Sequence, residues 1–71
     1  MKTVYDVQQF LKRYGTIIYT GDRLADLELM EMEFIDLFQA KVIDPKDFQS
    51  AILVIKQHIQ KEKQNLKNRG E

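Results

Sequence analysis

Tyr14-Gly15-Thr16-Ile17-Ile18-Tyr19-Thr20-Gly21-Asp22-Arg23 breaks one helical pattern at Gly15, carries an apolar and aromatic strip across the gap, and opens a second helix at Gly21-Asp22-Arg23. One short amphipathic segment precedes this stretch and two longer ones follow it. Residues 16–20 are β-branched or aromatic and read locally as extended. No second strand is available to pair with them, so a sheet is not expected. They are expected to form an ordered connector, with Ile17 or Ile18 plugging the core. Asp22 is the best N-cap for the helix that follows. Thr20, with Tyr19 packed on Leu24 as a hydrophobic staple, is the alternative start.

Upstream, Thr3 followed by Asp6 has the spacing of a capping box, in which a hydroxyl and a carboxylate each satisfy a free backbone N–H. Val4, Val7, Phe10, Leu11 and Tyr14 then share one face at helical spacing, and Gly15 suits the left-handed position after the helix. The first helix is expected over residues 4–14, with Tyr5, Gln9 and Lys12 on its other side.

Downstream, the second helix is expected over residues 22–40, burying Leu27, Met30, Phe34, Leu37 and Phe38, with Leu24 and Ile35 flanking. Ala25, Leu29 and Met32 make a weaker stripe on the far side. A middle helix gripped by both neighbours explains two stripes, and so does a surface for a partner. Glu31, at the border of the main stripe, is expected to lay its methylenes on the core and hold its carboxylate in water or near a lysine or arginine.

The second break is sharper. Ile43-Asp44-Pro45-Lys46-Asp47-Phe48 offers an N-cap at Asp44, proline at the first helical position, an acid at the third, and an Ile43/Phe48 staple. A third helix follows over residues 45–66, with Phe48, Ala51, Ile52, Ile55, Ile59 and then Leu66 on its apolar face. It is the longest of the three and is expected to outrun the bundle, leaving Gln60 to Glu71 as a basic overhang whose residues 67–71 fray. The fold class is therefore all-α, a three-helix bundle with short connections, forming a single domain over residues 1–71.

At 71 residues the chain is near the lower limit for a single core. With no cysteine it has neither a disulfide nor a thiolate site. The N-terminal residues lack a signal-peptide run, and the longest apolar run is Ala51-Ile52-Leu53-Val54-Ile55, so no membrane span is expected and the cytoplasm is the expected location. Lysine and arginine balance aspartate and glutamate at 11 each, which argues against coating nucleic acid by bulk charge. The balance is uneven along the chain. Residues 22–36 hold six acids against Arg23 alone, while residues 56–71 hold five bases against Glu62 and Glu71.

No phosphate loop, nucleophile elbow or cysteine is present, and the single histidine, His58, sits on the flank of the third helix. No catalytic residue, metal ligand or cofactor is therefore assigned, and the protein is expected not to be an enzyme. The one constellation with a chemical use is at the first break. A helix N-terminus offers free N–H groups and partial positive charge, and an arginine fork suits phosphate. Lys12, Arg13, Tyr14, Tyr19, Gly21 and Arg23 are accordingly the candidate residues for an anion or single-stranded nucleic acid. The competing reading is that Asp22 already fills the anion position as a cap and Arg23 pairs with an acid of the second helix. A protein-interaction role, as an adaptor or a homodimer, is the alternative, with Leu29 and Met32 as candidate interface residues.

Tyr5-Asp6-Val7-Gln8-Gln9, Leu11-Lys12, Tyr14-Gly15, Tyr19 and Gly21-Asp22-Arg23 resemble the YqgQ-like family of small uncharacterised proteins of low-GC Gram-positive bacteria. The likeness spans nearly the whole length and is sharp in the first third; beyond Arg23 it is a matching helical pattern. It implies a cytoplasmic three-helix bundle and supplies no activity.

Overall fold

The computed structural model describes residues 1–69 and contains three helices: α1 (Val4–Arg13), α2 (Arg23–Gln39) and α3 (Pro45–Arg69). Among the described residues there is no strand. Each helix starts where a side chain can satisfy its free N–H groups. Thr3 Oγ1 accepts from the Asp6 N–H at 3.1 Å, and the Asp6 carboxylate accepts from the N–H groups of Thr3 and Lys2, completing the capping box. Asp22 Oδ1 accepts from the Leu24 N–H at 3.1 Å, and Asp44 Oδ1 from the Asp47 N–H at 3.0 Å. The alternative start of α2 is thereby ruled out. Tyr19 is exposed and does not form the staple with Leu24, because extended backbone turns its ring outward.

Two helices end in the same way. After α1, Gly15 takes φ +82°, its N–H bonds to the Lys12 carbonyl, and the Thr16 N–H reaches back to Leu11. After α2, Lys41 takes φ +60°, its N–H bonds to Phe38, and the Val42 N–H reaches back to Leu37. Both are Schellman ends, in which a left-handed residue lets the chain satisfy the last carbonyls. The first helix thus stops at Arg13 rather than residue 14, and the second spans Arg23–Gln39 within the expected 22–40. The third continues past residue 66 to Arg69; of the tail expected to fray, residues 70–71 lie outside the described residues.

The core joins Val4, Val7, Phe10 and Leu11 of α1, Leu27, Met30 and Phe34 of α2, Ile43 of the second turn, and Ala51, Val54 and Ile55 of α3. Phe10 stacks on Phe34 with centroids 5.5 Å apart, and Phe38 on Phe48 at 4.2 Å. The helix with both others against its backbone is α3, not α2. This corrects the expectation that neighbours grip α2 on both sides: Leu29 and Met32 remain 40% and 60% exposed. It also explains Val54, which lies off the expected α3 stripe and is buried. The start of the chain is pinned to α3 as well, since the Met1 amino group donates to Ser50 Oγ at 2.6 Å and that hydroxyl donates to the Met1 carbonyl.

α2 and α3 run antiparallel. Phe38 meets Phe48 at one end, and Glu31 meets Lys56 (2.8 Å) two turns further along. Continuing that register at about 1.5 Å per residue brings Arg23 beside about residue 63 or 64. The overhang of α3 therefore starts some four residues later than Gln60, because α2 covers more of α3 than α1 does. The molecule measures 43 × 21 × 19 Å.

Candidate functional site

The connector between α1 and α2 is extended and laid along α2. Thr16 Oγ1 donates to Glu33 Oε1 at 3.2 Å, and at the far end Thr20 donates through both its N–H and its hydroxyl to Asp26 Oδ1, each at 2.7 Å. Extended backbone alternates its side chains between two faces. Thr16, Ile18 and Thr20 face the body of the protein, while Ile17 and Tyr19 face outward, 79% and 85% exposed. Of the two expected core plugs, Ile18 is the one that packs on the core. Asp26, buried in the first turn of α2, makes the segment rigid enough to hold two large apolar side chains in water.

Between this segment and α1 lies a groove of about 310 Å³, lined by Gln8, Gln9, Leu11 and Lys12 of α1, Thr16 to Tyr19 of the connector, and Met30 beneath. Its volume is at the small end of the range for ligand pockets, roughly 300–1,000 Å³. Along it stand a tyrosine whose ring is turned to solvent at the rim, two carboxamides that donate and accept, and a lysine.

The six residues nominated for anion or nucleic-acid contact do not converge on one place. Lys12 and Tyr19 line this groove. Arg13 and Tyr14 line a different hollow with Met1, Phe10 and Asp47. There the Arg13 guanidinium lies 5.0 Å over the Phe10 ring, and Tyr14, 43% exposed, packs against the same ring at 5.2 Å. Lys12 and Arg13 diverge because consecutive helical positions point about 100° apart, whereas Arg13 and Tyr14 share the face of Phe10 at i+3 and i+4. Gly21 and Arg23 line neither hollow. At the start of α2 the Asp22 carboxylate already accepts a free N–H, and the Asp26 carboxylate lies one turn behind it. Two carboxylates therefore occupy the field that a phosphate would seek. Gly21 serves geometry there, with φ +89°. Arg23 is exposed and, among the described residues, has no carboxylate within ion-pair distance.

Gln8, Thr16 and Asp26 escaped the sequence reading. Gln8 sits in an ordinary polar position of α1, and the Thr20–Asp26 tether crosses a turn, where no periodicity flags it. The remaining candidates have simple surroundings. Glu31 pairs with Lys56 while its own side chain stays largely covered. His58 Nδ1 lies 2.9 Å from the Val54 carbonyl, which can only accept, so that nitrogen carries the proton. The Asp6 carboxyl is held below its ordinary pKa, first by the Lys2 N–H, then by the Thr3 N–H. Among the described residues no group of three or more His, Cys, Asp or Glu side chains is placed to hold a metal ion, and no helix is long and apolar enough to cross a membrane.

With this geometry in place, comparison with known proteins is informative. The YqgQ-like family model matches residues 1–61. Over 63 residues the chain is 36% identical to a protein of Bacillus subtilis (strain 168) named uncharacterized protein YqgQ, covering 89% of each chain. The matched span contains α1, the connector, α2 and every residue that lines the groove. On both grounds, the chain belongs to the YqgQ-like family.

Proposed function

We propose that this protein is a non-catalytic cytoplasmic module that binds single-stranded nucleic acid through the groove between α1 and the connector. The observation that carries the reading is the Tyr19 ring, 85% exposed on a tethered segment, beside Lys12 and the carboxamides of Gln8 and Gln9. An immobilised aromatic face stacks any base, a carboxamide matches the donor and acceptor pattern of a base edge, and a lysine meets the adjoining phosphate. Arg23, which lines neither hollow and stands at a helix start already held by the Asp22 and Asp26 carboxylates, is not part of the site. Arg13 and Tyr14, turned toward the other hollow, are left out of the site. The non-catalytic part of the reading rests on the lack, among the described residues, of a nucleophile paired with a base: the one hydrogen bond of the His58 ring is to the Val54 carbonyl, and no serine, threonine or tyrosine hydroxyl is bonded to it.

Fluorescence-anisotropy titrations with labelled RNA and DNA oligomers test the proposal. Binding is expected at low salt and should weaken as salt rises. Tyr19→Ala should cost about 1–3 kcal/mol, as loss of one stacked base does. Lys12→Ala should lower affinity for all sequences alike and flatten the salt dependence. An absence of binding at low salt removes the reading.

A second reading, a protein-interaction module, is favoured by Leu29 and Met32, which α1 and α3 leave uncovered on α2. A strict monomer that captures no partner would count against it.

A further inference from the structure

Of the three tyrosines, Tyr14 is packed on Phe10 and Tyr19 stands at the groove, which leaves Tyr5. Its ring is 65% exposed in the first turn of α1 and stacks on no other ring, while Val4 beside it is buried. At about 100° per residue, Tyr5 falls between Gln8 and Gln9 around the axis of α1 and within about 20° of Lys12. Those three residues line the groove and Tyr5 does not, so its ring shares their face but stands one turn beyond the groove's end. That end is the one Tyr19 reaches: the connector leaves α1 with the Thr16 N–H on the Leu11 carbonyl and runs back along the groove to Tyr19. No acidic side chain lines the groove between them.

We propose that Tyr5 is a second stacking platform of this site, and that the ligand is a single strand engaged over two consecutive nucleotides. One base lies on Tyr19 at the groove and the next on Tyr5 beyond it, with a phosphate on Lys12. The inference rests on the nucleic-acid reading above and deepens it. A groove at the small end of the ligand-pocket range holds one base, so a ring that stands outside it serves another. Lys12 and Tyr5 are seven residues apart, about 10 Å along the axis at about 1.5 Å per residue, which makes the site short. An OB fold, by contrast, engages about 4–16 nucleotides. Stacking on the rings is tolerant of base identity, and the carboxamides of Gln8 and Gln9, placed between them on the same face, meet the edge of the first base.

Competition against a labelled oligoadenylate, followed by fluorescence anisotropy at low salt, is the test. The unlabelled competitors are 5′-adenylate, its dinucleotide and its trinucleotide, and the variants are Tyr5→Ala, Tyr5→Phe and Tyr19→Ala. Both tyrosines are exposed and outside the core, and circular dichroism establishes that each variant is folded. With wild type, the dinucleotide should compete at least about fivefold better than the mononucleotide, as one more stacked base does, and the trinucleotide should fall within about twofold of the dinucleotide. Tyr5→Ala should abolish the dinucleotide's advantage and leave the mononucleotide unchanged, whereas Tyr5→Phe, which keeps a ring, should retain it. Tyr19→Ala should weaken all three competitors. A dinucleotide advantage that is missing from wild type, or that survives Tyr5→Ala, overturns the second platform and leaves the Tyr19 groove standing. If the labelled oligomer does not bind at all, this inference falls together with the reading it rests on.

Discussion

Lys41 holds φ at +60°, in the left-handed region where a side chain crowds the following carbonyl. Gly15 does the same work after α1 without that cost, and Gly21 uses the same freedom before α2. Replacing Lys41 by glycine should therefore stabilise the protein by about 0.5–1 kcal/mol in urea unfolding, since the Schellman hydrogen bonds are kept and the strain is removed. Gly15→Ala should destabilise by about 1 kcal/mol although no neighbouring atom lies within 4 Å of the new Cβ, so the cost is torsional and not steric contact with the body. Gly15 was legible because glycine after an apolar stripe is a recognised stop; Lys41 was not, because nothing in a lysine announces a left-handed backbone. Asp6 provides the pH-dependent case. Its folded pKa lies below its unfolded one, so the unfolded chain binds more protons in the window between them. The capping box contributes its stability above the unfolded value and loses it as pH falls through the folded one. An NMR titration should place the Asp6 midpoint below that of an unstructured aspartate, and Thr3→Ala, which removes the hydroxyl half of the box, should cost about 1 kcal/mol at neutral pH.

At the scale of elements, the helices were legible to within a few residues because their starts are written in local chemistry: Thr3 with Asp6, Asp22, and Asp44 with Pro45. What failed was any reading that needed one element's position relative to another. The far stripe of α2 looked like a second packing face, but α1 approaches the backbone of α3, so Leu29 and Met32 stay outside while Val54 goes in. The connector is the instructive case, since its β-branched run correctly signalled extended backbone, yet sequence could not say whether Ile17 or Ile18 faced in. The tether decides it: with Thr16 bound to Glu33 and Thr20 to Asp26, alternation leaves Ile17 and Tyr19 outward. Asp26→Ala should thus remove the charged acceptor that the Thr20 N–H and hydroxyl share, costing about 1–3 kcal/mol, and should loosen the groove beyond that loss. Amide exchange at Thr20 reports it directly, and Asp26→Asn, which keeps a carbonyl acceptor, should be the milder of the two.

For the whole molecule, size governs how losses propagate. A core in a chain of this length rarely supplies more than about 3–5 kcal/mol, and no disulfide supplements it. Phe34 lies where all three layers meet, fully buried and stacked on Phe10, so α1 is held partly through a residue of α2. Truncating such a ring typically costs about 3–5 kcal/mol through lost transfer energy and the cavity left behind. Those two figures are equal in size, so Phe34→Ala should not give a softened native state but a chain without cooperative thermal unfolding. Leu66 is the control. It continues the apolar face of α3 past the last turn covered by α2 and is exposed, so Leu66→Ala should shift stability by no more than about 0.5 kcal/mol. If the two substitutions proved similar in thermal scans, the stability of this protein would not reside where α1, α2 and α3 converge, and the rigidity claimed for the groove, which Leu11, Ile18 and Met30 share with that core, would lose its foundation.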